Sequence, residues 1–297
     1  MHYGVSVPNF GEGVDARAIA GLARDTEEAG WDGFFIWDHL LAFSPGQVPV
    51  VDPWVALSAA ALSTSRVRLG PMVTPLPRRR PAKLARETVS LDLLSGGRLV
   101  LGIGIGAMPY EWDYLGEEPD MRVRGAMLDE GLEVLTGLWT GEPFEYRGKY
   151  YRVGGEPPEA WRAIFYPPPL QEPRIPVWVA GTWPIKAPFR RAARWDGVCP
   201  IKVQGGQIRQ MTPQDVQDMV RYVTEHRTGT GTFDVVIAGE TPGDDRAEGS
   251  DIVTAHEEAG ATWWIESIDP WRFGWTGNDP WPTLEMRARV QQGPPEA

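Results

Sequence analysis

The sequence predicts an α/β protein that folds as a single (β/α)8 TIM barrel over residues 1–297, with an insertion at about residues 140–175. Two observations lead to this fold. Strand-like and helix-like segments alternate from the N-terminus, and eight such strands fit into roughly 265 residues, a usual size for such a barrel. The strands are also apolar almost throughout, as parallel strands covered on both faces tend to be.

The first half of the chain shows this alternation most clearly. Asp15 is expected to cap a helix in which Ile19 and Leu22 recur at helical spacing, and Gly30 is expected to end that helix. The predicted strands of this half are 3–8, 33–37, 67–75 and 99–105. The predicted helices are 16–29, 54–62 and 82–94.

The second half repeats the cycle after a helix at 125–139. A polar and aromatic run at 144–153 predicts a β-hairpin, and a proline-rich stretch follows it up to Pro169. The predicted strands are 176–180, 197–201, 233–238 and 261–268. The predicted helices are 185–194, 213–226, 250–259 and 283–291. The tail at 293–297 is expected to fray.

A doubly wound sheet is the rival fold, because Gly102, Gly104 and Gly106 resemble part of a dinucleotide-binding turn. That turn needs a further glycine three residues later, where a helix begins, and position 109 is Pro. We interpret the glycines instead as a strand end that a flat ligand approaches closely.

The composition limits the partners of this protein. A net charge of −11 and a pI of about 4.9 argue against nucleic acid and anionic membranes as partners. The single Cys199 cannot form an internal disulfide, and no apolar run reaches the ~18 residues of a membrane span. The sequence therefore predicts a soluble cytoplasmic protein.

In a barrel of this kind, the active site is built by the loops that follow the C-terminal ends of the strands. His39 is the only histidine expected at such an end, and its titration range suits proton transfer at neutral pH. A histidine that only organises its loop, through Asp38 or the backbone, is the alternative. No metal site is expected, since the His256 segment has Gly where a zinc-binding helix needs its second histidine.

Other features near the strand ends carry weaker signals. The segment 179–183 precedes a helix and could present N–H groups and a hydroxyl to a phosphate, or form an ordinary turn. Arg78 and its two arginine neighbours begin a helix, where positive charge is unfavourable and hints at a ligand or an acidic partner, although solvated arginines are the favoured interpretation. Helix 54–62 is rich in small residues and could form a dimer seam or pack closely on the barrel.

Four segments resemble the luciferase-like monooxygenases, which are flavin- or deazaflavin-dependent barrels related to bacterial luciferase. The most specific segment is 91–106, which ends in the glycine run already described. The other three segments are 27–39 (Glu-Glu-Ala-Gly-Trp-Asp-Gly-Phe-Phe-Ile-Trp-Asp-His), 64–74 (Thr-Ser-Arg-Val-Arg-Leu-Gly-Pro-Met-Val-Thr) and 175–181 (Ile-Pro-Val-Trp-Val-Ala-Gly). The resemblance extends over roughly residues 3–270.

The resemblance implies a site with a flat flavin-type ring across the barrel mouth. It implies a catalytic or substrate-facing His39 and a non-prolyl cis peptide near Val73-Thr74, beneath the ring. Gly104 and Gly106 would line the ring edge, and the Gly181-Thr182 turn would hold the phosphate. The complete set expected to bind the cofactor is Asp38, Val73, Thr74, Gly104, Ile105, Gly106, Glu111, Ala180, Gly181 and Thr182. Trp112 and Trp183, together with Trp161, either suggest an apolar or aromatic substrate or serve equally well as cover for the barrel.

Two reactions are compatible with this resemblance. With reduced FMN, supplied by a separate flavin reductase, the enzyme would be a monooxygenase, which is the favoured interpretation. With the deazaflavin coenzyme F420, it would be a dehydrogenase or reductase that transfers a hydride. A glycosidase that uses Glu111, Glu240 or Glu266, and a non-catalytic flavin-binding protein, rank below both. A homodimer is expected from the family and from helix 54–62.

Overall fold

The computed structural model describes residues 1–42, 47–154, 164–276 and 280–295. In these ranges its strands are β1 His2–Val7, β2 Gly33–Ile36, β3 Arg68–Pro71, β4 Thr74–Pro75, β5 Leu101–Gly104, β6 Tyr146–Arg147, β7 Arg152–Val153, β8 Val177–Trp183, β9 Gly197–Gln204, β10 Gln207–Arg209, β11 Asp234–Gly239 and β12 Trp263–Ser267. Its α-helices are α1 Ala16–Glu28, α2 Pro53–Ser63, α3 Pro81–Ser95, α4 Pro109–Asp113, α5 Met121–Trp139, α6 Lys186–Ala192, α7 Pro213–His226, α8 Arg246–Glu258 and α9 Thr283–Gln291.

The central sheet is a nearly closed parallel barrel. Its strands lie in the order β3, β2, β1, β12, β11, β9, β8, β5, β4. A parallel bridge between Leu69 of β3 and Leu99, two residues before β5, brings the far side of this order back to β3, and the N–H of Val100 donates to the carbonyl of Leu69. β3 and β4 are two parts of one predicted strand, interrupted where the Met72–Val73 peptide is cis. The structure thus confirms the predicted (β/α)8 barrel.

Apolar side chains fill the barrel interior. The buried residues inside it are Phe35, Val100, Trp178, Cys199, Val236, Trp263 and Ile265, with Met72, Val73 and Ala180 packed against them. A larger apolar layer lies between the strands and the surrounding helices. Cys199 is buried, and burial raises the pKa of its thiol to about 12. The thiol is therefore an inert part of the core.

Most helices lie within one or two residues of their predicted bounds, whereas α5 and α8 each begin four residues earlier than predicted. The Asp15 carboxylate accepts hydrogen bonds from the N–H groups of Arg17 and Ala18, which caps α1. Asp52 caps α2 in the same way, and Thr212 and Asp215 form a capping box at α7. α7 and α9 have the bounds that the pattern predicts.

Strands β8 to β10 and the C-terminal tail also differ from the prediction. β8 continues to Trp183, and β9 continues to Gln204 and turns into a hairpin with β10. The exposed, polar strand β10 has no apolar face that the sequence could have revealed. Gly293 and Pro295 are buried rather than frayed, and the carbonyl of Gly293 accepts a hydrogen bond from Arg289. The last two residues of that predicted tail lie outside the described ranges.

The predicted insertion contains the β6–β7 hairpin, which is antiparallel as expected. Trp161 lies outside the described residues. In the described part of the chain, no helix is long and apolar enough to cross a bilayer. The same ranges contain no group of three or more metal-ligating side chains placed to hold an ion.

Candidate active site

His39 follows β2 at the C-terminal end of the barrel, and a buried asparagine fixes its backbone. The N–H of His39 donates to Oδ1 of Asn9 over 3.1 Å, and Nδ2 of Asn9 donates to the carbonyl oxygen of His39 over 2.8 Å. Nδ2 of Asn9 also donates to the carbonyl of Val51 over 2.8 Å. Asn9 follows β1 and is fully buried. The ends of two neighbouring strands therefore hold the histidine in place.

Glu111, on the short helix α4, is the acidic partner of His39. Its Oε2 lies 3.3 Å from Nδ1 of His39 and accepts a hydrogen bond of 2.8 Å from Nη1 of Arg78. Its Oε1 accepts hydrogen bonds from the N–H groups of Leu40 and Leu41 over 2.6 and 3.2 Å. Burial opposes ionisation, but His39 and Arg78 outweigh it and lower the pKa of Glu111 to about 2. Glu111 is thus a permanent carboxylate beside the imidazole.

Asp38 and two arginines form a second, adjoining ion-pair network. Oδ2 of Asp38 accepts hydrogen bonds of 2.7 Å from Oγ1 of Thr74 and from Nη2 of Arg79. Nη2 of Arg78 donates to the carbonyl oxygen of Asp38 over 2.9 Å. The prediction of solvated arginines at 78 and 79 is wrong, since their side chains are only 2% and 18% exposed. The acidic partner that their helix position suggested lies within the chain itself.

Gly104 lies at the end of β5, with the side chains of two neighbouring segments close to it. A Cβ atom placed on Gly104 would lie 3.1 Å from Cγ2 of Val73 and 3.4 Å from Cβ of Ala180. A larger residue at 104 would fill this space. Val73, Gly104 and Ala180 together form a smooth apolar surface, which we call the floor. Such a floor fits the face of a flat ring, as the resemblance implies.

Gly106 is required by packing beneath the loop that follows β5. Its φ is +78°, and a Cβ there would lie only 2.2 Å from Cζ2 of Trp112. Trp112 is 1% exposed, with its ring 5.8 Å from the guanidinium of Arg78 and 4.0 Å from that of Arg124. The indole of Trp112 therefore supports the loop from within, and its expected contact with substrate stays a prediction.

The expected phosphate turn at Gly181 and Thr182 is also placed differently. Both residues lie within β8, where Gly181 pairs with Pro200 and Thr182 with Ile201. Their turn conformation was therefore predicted wrongly, and α6 begins only at Lys186. Trp183, expected to contact substrate, is 6% exposed, and its ring packs edge-on against another aromatic side chain, Phe189, at 5.1 Å.

An aromatic cluster lies beside the imidazole of His39. The rings of Phe10 and Trp37 each lie 6.0 Å from the His39 ring. Trp271 stacks on Trp37 with 10° between the ring planes. The cluster, which we call the aromatic wall, comprises Phe10, Trp37, Trp271, Trp275 and Trp281. The sequence did not predict this cluster, because Trp271, Trp275 and Trp281 lie in segments without a periodic pattern.

The carboxylates proposed for a glycosidase do not form a working acid–base pair. Glu111 stays ionised near neutral pH, as its pKa shows. Glu266 is fully buried and accepts hydrogen bonds from Thr241, Trp264 and Arg272. Burial raises the pKa of Glu240. Its neighbours are Arg272 and Glu266, and the oxygens of Glu266 already accept hydrogen bonds. A glycosidase needs one protonated and one available carboxylate, and this mouth offers no such pair among these three.

Comparison with known proteins gives the family. A sequence model described as luciferase-like monooxygenase matches residues 1–241. The chain therefore belongs to the luciferase-like monooxygenase family. An F420-dependent glucose-6-phosphate dehydrogenase from Gordonia bronchialis is 32% identical over 193 residues, which cover 63% of this chain and 54% of that relative. The chain thus spans about half the length of this curated relative.

Solved structures confirm the architecture. The coenzyme F420-dependent tetrahydromethanopterin reductase from Methanopyrus kandleri superposes with a TM-score of 0.72 at 18% identity, covering 98% of this chain and 96% of that one. A monooxygenase from Streptomyces bottropensis superposes with a TM-score of 0.68 at 19% identity, covering 98% and 97%. At these identities, the similarity shows the shared barrel fold alone.

Proposed function

We propose that this protein is a deazaflavin-dependent dehydrogenase or reductase, which uses coenzyme F420 to transfer a hydride to or from a small organic substrate. The observation that carries the choice of coenzyme is the 32% identity to an F420-dependent dehydrogenase. This proposal reverses the order given by the sequence alone, which favoured an FMN monooxygenase. The monooxygenase, with its flavin reductase partner, is the second candidate, supported by the family description.

The residues at the barrel mouth fit a flat ring. Val73, Gly104 and Ala180 would lie beneath its face, and Gly104 keeps open the space that a Cβ would fill. Asp38 and Thr74, hydrogen-bonded to each other at the end of β4, would fix the edge of this floor. Bound there, the coenzyme would supply the atom that accepts or donates the hydride. The protein would supply orientation and proton transfer.

His39 is the group that we expect to exchange a proton with the substrate. Because Nδ1 of His39 faces the ionised Glu111, the imidazole tautomer with hydrogen on Nδ1 is favoured. Nε2 is then the atom suited to accept a proton from a substrate hydroxyl as a hydride leaves the adjacent carbon. Two electrons leave with the hydride, the proton stays with His39, and the alcohol becomes a carbonyl.

The aromatic wall indicates a substrate with an apolar surface. Two basic side chains near the mouth are already paired with carboxylates: Arg79 with Asp38, and Arg272 with Glu266. A phosphorylated substrate, such as the one in the name of the Gordonia relative, would have to compete for these cations. We therefore propose a small, uncharged alcohol or carbonyl compound rather than a sugar phosphate.

Two further properties are part of this proposal. We propose a homodimer, because α2 is rich in small residues and exposes Val55 and Leu62. We also retain the cytoplasmic location expected from the sequence. Neither property is needed for the chemistry at His39.

The test is a pair of titrations followed by turnover. Purified protein is titrated with oxidised F420 and with oxidised and reduced FMN, and F420 reduction is then measured with glucose 6-phosphate and with a series of secondary alcohols. We expect tight F420 binding and faster turnover of the uncharged alcohols. Tight binding of reduced FMN alone would make the protein a monooxygenase instead.

A variant of the histidine gives the second part of the test. His39→Ala should lower kcat about 100-fold, as expected for the loss of a general base, and leave the Kd for F420 within a factor of three. His2→Ala is the matched control, because His2 is exposed at the opposite, N-terminal end of β1. Unchanged turnover in His39→Ala would remove the histidine from the mechanism.

A further inference from the structure

Arg124 carries a buried charge close to the barrel mouth. It lies in the first turns of α5 and is 4% exposed. No carboxylate oxygen in the described part of the chain lies within 4.0 Å of its guanidinium, although Asp113, Glu118 and Asp120 are near enough to favour its charge. Burial nevertheless lowers the pKa of Arg124. A buried, unpaired cation near the positive end of a helix is costly, so its position calls for an explanation.

The guanidinium is used to hold the loop that follows β5. Nη1 of Arg124 donates to the carbonyl oxygens of Ile105 and Gly106, over 3.2 and 3.3 Å. The guanidinium also lies 4.0 Å from the ring centroid of Trp112, which in turn lies directly under Gly106. Two carbonyl groups and an aromatic face thus surround one cation.

These contacts fix the direction of two backbone N–H groups. The peptides that follow Ile105 and Gly106 are trans, so the N–H groups of Gly106 and Ala107 point away from the carbonyls that face Arg124. The nitrogen of Gly106 lies 4.0 Å from the point that a Cβ on Gly104 would occupy, which is on the floor side. Within the described ranges, no backbone carbonyl accepts a hydrogen bond from either N–H group.

We propose that Arg124 is a positioning residue that aims the N–H groups of Gly106 and Ala107 at an oxygen atom that becomes negatively charged during the reaction. This inference rests on the proposed function, since it needs a hydride acceptor at the mouth. The oxygen belongs either to a carbonyl of the coenzyme ring or to the substrate. Both sources present the same chemistry, a carbonyl oxygen that gains charge as electrons arrive.

The guanidinium strengthens these donors as well as orienting them. Its positive charge lies at the oxygen ends of both peptide dipoles and polarises them, so that the N–H ends become more positive. Donors fixed in this way favour a charged oxygen over a neutral one, without reorganisation during the reaction. Loss of Arg124 should therefore weaken binding of the charged form more than that of the neutral form.

The test compares two variants of Arg124 with a matched control. Arg124→Met keeps much of the apolar stem, and Arg124→Lys keeps the charge. Arg227→Met is the control, because Arg227 likewise donates to two carbonyls and lies over an aromatic ring, that of Phe233, but sits between α7 and β11 at the other end of the barrel. For each protein, the Kd values of oxidised and reduced F420 are measured by calorimetry, together with kcat, KM and Tm.

We expect Arg124→Met to raise the Kd of reduced F420 about tenfold and that of oxidised F420 less than threefold. Arg124→Lys should recover part of this difference. If the oxygen belongs to the substrate, both Kd values will stay constant and kcat will fall tenfold at constant KM. Arg227→Met should lower only Tm.

Two other results would overturn the inference while leaving the proposed function intact. One is an Arg124→Met variant in which both Kd values rise equally as Tm falls, which indicates a structural role only. The other is a variant with unchanged Kd values and unchanged kcat. If the unaltered protein binds F420 in neither form, the proposed function fails, and this inference fails with it.

Discussion

His39 and Arg78 share one oxygen atom of Glu111, and this sharing sets the charge of the site. Arg78 keeps the carboxylate ionised even if His39 loses its own proton, so the imidazole always faces a negative charge. The positive charge of Arg78 also weakens the attraction between Glu111 and His39, because both side chains contact the same oxygen, Oε2. Glu111 therefore places a lasting negative charge beside the imidazole that we expect to exchange a proton with substrate.

Removal of the negative charge at 111 should impair proton transfer. We expect Glu111→Gln to lower kcat about 100-fold, because the amide neither stabilises a protonated His39 nor selects its tautomer. Glu240→Gln is the control. Glu240 is half exposed, and its ion-pair partner is Arg272 rather than His39 or Arg78. Steady-state reduction of F420 is the measurement. A kcat for Glu111→Gln equal to that of the control would contradict this role.

The same carboxylate predicts a dependence of stability on pH. Because the pKa of Glu111 in the folded protein is about 2, against 4.5 for a free glutamate, its stabilising contribution is complete above pH 4.5 and is lost as the pH falls towards 2. The shift corresponds to about 3 kcal/mol. The free energy of unfolding, measured in urea between pH 3 and 7, should fall more steeply for the unaltered protein than for Glu111→Gln/Arg78→Met. Parallel curves would show that Glu111 is not ion-paired.

At the scale of elements, the turn between β5 and α4 needs a glycine for two reasons, its backbone conformation and its packing. Gly106 has a positive φ, and Trp112 occupies the space where its side chain would be. Gly116 has a similar φ of +70° but open space around it. Substitutions at Gly106 and Gly116 can therefore distinguish the cost of backbone strain from the cost of overpacking.

Alanine at each position should give different losses of stability. Gly116→Ala should lower the free energy of unfolding by about 1 kcal/mol, because only the backbone is strained. Gly106→Ala should lower it by about 3 kcal/mol or more, because Cβ also collides with the indole of Trp112. Urea denaturation of both variants is the measurement. Equal losses would mean that Trp112 does not pack against Gly106.

The sequence predicted elements that repeat a pattern and missed those held only by distant contacts. α1 and α7 follow from amphipathic spacing and caps, and the parallel strands follow from their continuous apolar runs. α4 is only five residues long, so no periodicity could reveal it. The break between β3 and β4 was expected from the resemblance, one peptide bond further along the chain.

The candidate site was predicted to a similar extent. His39 and Glu111 were identified and lie together in the structure. Arg78 was noticed for its unfavourable position at a helix start, but its partner is 33 residues away and could not be inferred from spacing. Asn9 and Arg124 were missed, since a buried side chain that binds backbone carbonyls leaves no local signature.

At the scale of the molecule, the ends of strands from both halves of the chain build the mouth. The first half supplies His39, Glu111 and most of the floor. The C-terminal segment supplies Trp271 and Trp281, which complete the aromatic wall against Phe10. The wall residues Trp271, Trp275 and Trp281 lie beyond the family match, which ends at residue 241, whereas Phe10 and Trp37 lie within it. Substrate preference should therefore depend on the part of the chain that resembles the family least.

The proposed dimer is the last property at this scale, and α2 and α3 provide its surface. Val55 and Leu62 lie seven residues apart, on one face of α2, and are 59% and 73% exposed, while Leu93 and Leu94 of α3 are 42% and 44% exposed.

In a twofold dimer each substitution occurs twice. Leu62→Glu should therefore weaken association by about 4 kcal/mol, which is roughly 1000-fold in Kd. Leu284→Glu is the control, because Leu284 is 81% exposed on α9. Analytical ultracentrifugation should show monomers only for Leu62→Glu; an unaltered protein that sediments as a monomer would refute the dimer.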